Sequence, residues 1–288
     1  MLSDKQKIEK QCFDDFMAYT ALNKYGQHFV KQLLLVPPSY EDKPDIVLCN
    51  DGFVYGIEHF QVNAAARLNS NNKGLSVVFA DNDFVSMRSE VFRCGQSDIA
   101  DNGTISDLTL QRMCDSLKEL SCVVSDITFS SYMCSFVHGL RTHVKKIDSY
   151  MTRLNDSLSK PSCIHLYFMI DVSFPFSSMK WPVSSGCIAP EMVRFLRILQ
   201  EHGVLSGVIF VMRDMFDRRK YSATFIDMTS KKAFDKCIRA GVVCPTDFSK
   251  RFDVLRNAKF DSVEFRRHDG VITFIAHKNV SKTVAFLN

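Results

Sequence analysis

Two long apolar runs constrain this chain most, because each is apolar on both faces of the strand it would form. They are "IHLYFMIDVSF" (164–174) and "SGVIFVMRD" (206–214). Such runs are typical of strands inside a sheet that other elements cover on both sides. The segment "APEMVRFLRILQEHG" (189–203) between them predicts a helix, with Pro190 in its first turn and Gly203 at its end. A strand, a helix and a strand in this order indicate an α/β fold.

A β-hairpin is predicted earlier in the chain, in "KPDIVLCNDGFVYGIEHFQV" (43–62). Residues 45–49 form its first strand, "NDG" (50–52) is a turn of the Asp-Gly type, and residues 53–62 form the return strand. Helical spacing of apolar residues predicts a first helix over about 4–24 and one long helix over 132–158. The whole pattern predicts an α/β fold with a mixed central sheet flanked by helices.

The domain organisation follows from where these patterns are clear. From about 63 to 130 the periodicity weakens, and we interpret this stretch as an insertion. We therefore assign residues 1–230 to one α/β domain with that insertion. Residues 231–288 form a C-terminal extension with a β-hairpin over 263–277, packed on the same domain. A second domain that starts near residue 230 is the alternative.

Composition excludes several classes of protein. The 288 residues are 46% hydrophobic and carry a net charge of +4, which permits contact with nucleic acid but does not argue for it. No apolar run reaches the roughly 18–20 residues that span a bilayer, so we expect no membrane association. The ten cysteines never form a C-x-x-C pair, and we interpret them as reduced thiols of a cytoplasmic protein. G-x-G, G-x-S-x-G and H-E-x-x-H motifs are absent from the sequence.

Two acidic residues in the hairpin need an explanation. Glu58 lies within the apolar return strand, and Asp45 lies at the start of the first strand. A buried carboxylate is costly unless a metal, a proton or a partner neutralises it. If the hairpin pairs around its turn, the two carboxylates can converge. Two carboxylates held together repel unless a cation lies between them, and Mg²⁺ prefers such oxygen ligands.

The motif "PD" (44–45), a hairpin and then "GIEHF" (56–60) resembles the PD-(D/E)XK, or restriction-endonuclease-like, nuclease superfamily. The resemblance implies a core of a helix, three strands, a helix and a strand, which the patterns match over residues 1–215. It implies that Asp45 and Glu58 bind one or two Mg²⁺ or Mn²⁺ ions, with Glu9 of the first helix as a further ligand. It also implies hydrolysis of phosphodiester bonds in DNA or RNA, and a homodimer, since many such nucleases cut as dimers.

The chain departs from the family at one position. The position of the lysine that orients the attacking water in the family is occupied here by Phe60. A phenylalanine side chain can neither donate a proton nor hold a water. Members of the superfamily can place this lysine on the helix that packs on the strands, where Lys146 is our candidate and Lys145 is less well placed. His143, Lys146 and Tyr150 stand at i, i+3 and i+7, so they share one flank of the helix. We expect Lys146 to position the water or stabilise the phosphate in catalysis, and His143, Tyr150 and Lys145 to bind the substrate, with His143 and Tyr150 bonding its phosphate oxygens.

Other interpretations of these residues stand beside this one. Asp45 can end a loop and cap backbone groups, Glu58 can pair with Lys146 without a metal, and the flank with His143 can be a solvated helix edge. The leading hypothesis is a metal-dependent nuclease. Its rival, which Phe60 favours, is a nuclease-fold module that has lost catalysis and serves as a binding or assembly subunit. An α/β enzyme of another chemistry is a third possibility.

Overall fold

A computed structural model gives the fold of the chain. It describes residues 2–50, 52–63, 66–68, 75–77, 93–101, 103–126, 128–156, 163–174, 188–214, 220–242, 252, 259–269, 271–278 and 281–284. The chain divides into two compact units, one of residues 1–64 and 133–248 and the other of residues 65–132 and 249–288. The second unit includes most of the stretch that we interpret as an insertion, together with the end of the chain from residue 249.

The first unit contains a mixed six-stranded sheet. Its strands are β1 (Ser39–Tyr40), β2 (Ile46–Asn50), β3 (Phe53–Asn63), β6 (Cys163–Phe174), β7 (Gly207–Asp214) and β8 (Tyr221–Asp227), in that spatial order. β1, β2 and β3 are antiparallel neighbours, β3, β6 and β7 run parallel, and β8 returns antiparallel to β7. The predicted hairpin and the two predicted interior strands are therefore confirmed, and so is the mixed sheet of the predicted fold class.

Helices cover both faces of this sheet. The first face packs against α1 (Asp4–Ala18) and α2 (Lys24–Leu33), whose apolar side chains share one buried cluster with Ile57 of β3 and Met169 of β6. The other face packs against the two helices α5 (Phe129–Val144) and α6 (Ile147–Asp156), together with α7 (Pro190–His202). α8 (Lys231–Cys237) and a π-helical segment (Ile238–Val242) follow β8. Burial on both faces explains why the central strands are apolar throughout.

Two predicted helices are wrong in extent. The first ends at Ala18, because Asn23 caps a new helix by accepting a hydrogen bond from the Gly26 backbone N–H. The predicted long helix is interrupted at Lys145 and Lys146, which form a turn between α5 and α6. The apolar stripe stays in phase across this turn, so the sequence pattern does not reveal the break.

The second unit is built from smaller elements. β4 (Ala66–Leu68) pairs antiparallel with β5 (Leu75–Val77), and a helix α3 over 93–101 is followed by α4 (Asp107–Asp126). β9 (Ser262–His268), β10 (Val271–Lys278) and β11 (Ser281–Val284) form a three-stranded antiparallel sheet, and α4 contacts β9. The predicted C-terminal hairpin is the pair of β9 and β10. In the described part of the chain, every helix is too short or too polar to cross a bilayer.

Candidate functional site

The hairpin brings the two predicted carboxylates to the same end of the sheet. Ile46 pairs with Ile57, so Asp45, which directly precedes β2, stands opposite Glu58 on β3. Asp45 is 1% exposed and Glu58 is 4% exposed. Oδ2 of Asp45 accepts a hydrogen bond of 2.8 Å from the backbone N–H of His59. Asp45 therefore also satisfies a backbone donor, as one of the alternative interpretations expects, but its Oδ1 is turned elsewhere.

That second oxygen of Asp45 meets α1, the helix that carries Glu9. The Lys5 ammonium lies 2.6 Å from Oδ1 of Asp45 and 3.0 Å from Oε1 of Glu9. Glu9 is fully buried, whereas 63% of the Lys5 side chain is exposed. A cation on a flexible and mostly solvated stem thus lies between two buried carboxylates from different elements.

The protonation of these groups follows from burial and from this ion pair. Burial raises the pKa of Glu9, and the nearby charge of Asp45 adds to the effect, while Lys5 opposes it. Burial acts against the charge of Lys5, but its hydrogen bonds to Asp45 and Glu9 prevail and raise the pKa of the ammonium. The pair therefore keeps Lys5 charged and leaves Glu9 prone to protonation.

Glu58 is held from the other face of the sheet by α5 and α6. The hydroxyl of Tyr150 donates a hydrogen bond of 2.7 Å to Oε1 of Glu58. Nδ1 of His143 lies 2.9 Å from the same oxygen, so this nitrogen must carry the proton when Glu58 is ionised. Burial first, and then the hydrogen bond to Glu58 and the charges of Glu58 and Asp45, raise the pKa of Tyr150, so its hydroxyl remains a donor.

Two carboxylates of this site keep oxygens that have no hydrogen-bond partner. Among the described residues, Oε2 of Glu58 and Oε2 of Glu9 are buried without one, whereas Oε1 of Glu9 lies 3.0 Å from the Lys5 ammonium. A buried carboxylate oxygen without a partner is costly, because it has lost water and gained nothing. Oxygens of this kind are what a bound cation would satisfy.

Phe60, at the position of the family's lysine, is part of the packing. Its ring stacks on the His143 ring at a centroid distance of 4.6 Å, with 11° between the planes. Gly139 of α5 makes room for it, since a Cβ at Gly139 would lie 2.9 Å from the ring of Phe60. Phe60 therefore fixes the imidazole that holds Glu58, through packing alone.

The predicted lysines lie away from this arrangement. Lys145 and Lys146 are exposed in the turn between α5 and α6, and no contact among the described residues joins either of them to Glu58. The interpretation in which Glu58 pairs with Lys146 is therefore wrong, because Tyr150 and His143 take that place. Sequence reasoning missed Lys5, although its i, i+4 spacing from Glu9 puts both side chains on one face of α1.

A second group of buried polar residues lies on the sheet face that α1 and α2 cover. Cys12 of α1, His59 of β3, Asp171 of β6 and Arg213 of β7 are each at most 8% exposed. Arg213 donates through Nε to Oδ1 of Asp171 at 3.2 Å and forms an ion pair through Nη1 with Asp15. Burial opposes the charge of Asp171, but His59 and Arg213 prevail and lower the pKa of this carboxyl.

The sequence does not reveal this group, because its members are far apart in the chain and come from four elements spread over about two hundred residues.

Comparison with known proteins adds no assignment for either group of buried residues. The chain matches no protein-family model, no curated protein and no solved structure.

Proposed function

We propose that this protein is a metal-dependent nuclease related to the PD-(D/E)XK superfamily. The observation that carries the proposal is the set of three buried carboxylates at one end of the hairpin, Glu9, Asp45 and Glu58. They come from α1, from the start of β2 and from β3, the elements on which the family resemblance puts its metal ligands. The restriction-endonuclease-like core is part of the same proposal.

The donor types suit Mg²⁺ or Mn²⁺, but the oxygens of Glu9, Asp45 and Glu58 do not all lie within 4.8 Å of one another, so binding by all three requires the side chains to move together. Both ions prefer oxygen ligands, and carboxylates are their usual protein partners. The buried Oε2 atoms of Glu9 and Glu58, which lack hydrogen-bond partners in the described part of the chain, are available for this role. The Lys5 ammonium already marks a position where positive charge is stabilised. When bound, such an ion polarises a phosphoryl oxygen and lowers the pKa of a coordinated water.

The chain's own residues have separable roles in this proposal. Tyr150 and His143 both bond to Oε1 of Glu58 and leave its Oε2 without a partner among the residues that the structure describes. This makes them positioning residues rather than phosphate ligands. Lys5 takes the role that the resemblance first suggested for Lys146. Its long, mostly exposed stem lets the ammonium turn from Asp45 toward a phosphate oxygen or the attacking water.

The rival function is a nuclease-fold module that binds nucleic acid or a partner without cutting. The burial and stacking of Phe60 favour it, because no cation can act from that position. The nuclease requires both the metal site and a substitute for the missing lysine, for which we propose Lys5, whereas the rival requires neither.

A cleavage assay separates them. Linear DNA, circular DNA and RNA are incubated with Mg²⁺ or Mn²⁺ and the wild type, Glu58→Gln, Lys5→Met or Lys7→Met protein. Lys7 is the matched control, since it is also on α1 but pairs with the exposed Asp4. We expect cleavage by the wild type and by Lys7→Met, with a loss of about 100-fold or more for the other two variants. Metal binding without cleavage would favour the rival, and absence of both would overturn the proposal.

A further inference from the structure

The buried group of Cys12, His59 and Asp171 has the composition of a transition-metal site. One sulfur, one ring nitrogen and one carboxylate oxygen from these residues all lie within 4.8 Å of one another. Thiolate, imidazole and carboxylate are the three side-chain ligands of Zn²⁺. The three residues come from α1, β3 and β6, so the fold itself, rather than a sequence motif, assembles them.

The surroundings of His59 also indicate a metal site. Its Nε2 is buried and has no hydrogen-bond partner among the described residues. The nearest carboxylate oxygen, Oδ2 of Asp171, is 3.8 Å away, which is too long for a hydrogen bond. Tetrahedral zinc with bonds of about 2.0–2.3 Å separates neighbouring ligand atoms by roughly 3.3–3.6 Å. The 3.8 Å between Nε2 of His59 and Oδ2 of Asp171 is thus close to the distance between two ligand atoms of one zinc ion.

The surrounding groups are arranged as a support for the ligands. Arg213 donates through Nε to Oδ1 of Asp171, which leaves Oδ2 directed toward His59. Hydrogen bonds of this kind orient carboxylate ligands in metal sites. Nη2 of Arg213 is buried here as well, has no hydrogen-bond partner in the described part of the chain, and could donate to a water in the fourth coordination position.

Charge also permits a cation despite the presence of Arg213. The guanidinium is opposed by two carboxylates, Asp15 and Asp171, so the group carries one net negative charge when His59 and Cys12 are neutral. A divalent ion that displaces the thiol proton of Cys12 to solvent adds one positive charge. The occupied group is then neutral, which is the favourable state for a buried site.

We propose that Cys12, His59 and Asp171 bind one Zn²⁺ ion that ties α1, β3 and β6 together. This site is separate from the carboxylate site, because its ligands include sulfur and nitrogen and because His59 points to the opposite face of β3 from Glu58. A bound ion would connect α1 and β3, the elements that carry Glu9 and Glu58.

Metal content and cobalt spectroscopy test this proposal on the full chain. The protein is loaded with Zn²⁺, dialysed and assayed for bound metal, and a second sample is loaded with Co²⁺. We expect one zinc per chain and the thiolate-to-cobalt charge-transfer band of a sulfur ligand. Cys12→Ser should weaken zinc binding by more than about 100-fold, since even changes around the ligands weaken it 10- to 100-fold. Cys237→Ser, which alters another fully buried thiol on α8, should bind as the wild type does.

Two further measurements keep the test decisive. If Cys12→Ser does not fold, the wild-type cobalt spectrum and the Asp171→Asn variant still report on the site. Glu58→Gln should retain its zinc, so loss of the proposed nuclease activity and loss of this site are distinguishable. A wild type that retains no zinc and shows no charge-transfer band would overturn the proposal, and so would equal zinc binding by Cys12→Ser.

Discussion

Replacing Lys5 by Met removes the ammonium between Glu9 and Asp45 and keeps most of the aliphatic stem. The two carboxylates are then buried next to each other with no cation. Breaking a fully buried ion pair costs about 3–5 kcal/mol, but most of the Lys5 side chain is exposed and water screens the pair. We therefore expect the free energy of unfolding of the metal-free protein to fall by about 1–3 kcal/mol.

The same substitution should strengthen metal binding, because the ion no longer competes with the ammonium for Asp45. If the whole stability loss is recovered on binding, affinity for Mn²⁺ rises by roughly 5- to 150-fold. Urea denaturation with and without Mn²⁺ measures both quantities on the wild type and on Lys5→Met. Lys7→Met removes the same charge from the same helix, and its exposed pair with Asp4 contributes little. If Mn²⁺ stabilises Lys5→Met and the wild type equally, or if Lys5→Met is as stable as the wild type without metal, then Lys5 does not compete with the metal or does not stabilise the two carboxylates.

Three further changes have expected outcomes. Tyr150→Phe removes the hydroxyl that donates to Glu58 and should lower the free energy of unfolding by about 1.5–3 kcal/mol in urea titrations; a loss below about 0.5 kcal/mol would contradict it. The pKa of Glu9 is raised in the folded protein, so this residue favours the fold below about pH 4 and disfavours it as the pH rises further. In the presence of chelator, the free energy of unfolding of the wild type should therefore fall relative to that of Glu9→Gln above pH 4, by at most about 1.4 kcal/mol per pH unit. A flat or opposite trend would argue against the raised pKa of Glu9. Gly139→Ala should destabilise by about 1–3 kcal/mol through contact with the ring of Phe60, seen as a lower Tm, whereas an open helical site would gain from alanine.

The sequence predicted the parts of the fold whose signal is local. The hairpin was predictable because "NDG" separates two strands whose side chains alternate between the two faces. This alternation also placed Glu58 and Phe60 on one face of the strand and His59 on the other. In the structure Glu58 and Phe60 face α5 and α6, and His59 lies on the face that α1 and α2 cover. The turn at Lys145 and Lys146 was missed, because it contains neither glycine nor proline and leaves the apolar stripe in phase.

The candidate site was predictable in its carboxylates and less so in their partners. A buried acid within an apolar strand stands out in a sequence, so Asp45 and Glu58 were identifiable. The cation beside them depends on which end of the sheet α1 begins at, and only the tertiary fold brings Lys5 to Asp45. Cys12 and Asp171 became neighbours in the same way, through packing of segments that are distant in the chain.

Calorimetric titration with Mn²⁺ tests the central claim, that the carboxylates at the hairpin end form a metal site. The comparison is between the wild type and Asp45→Asn, whose amide oxygen can still accept from the His59 backbone N–H. Saturable binding by the wild type at millimolar concentration or below, with one binding site fewer in Asp45→Asn, is the predicted result. Equal Mn²⁺ binding by both proteins, or none by the wild type, would show that the carboxylates at the end of the hairpin do not form a metal site.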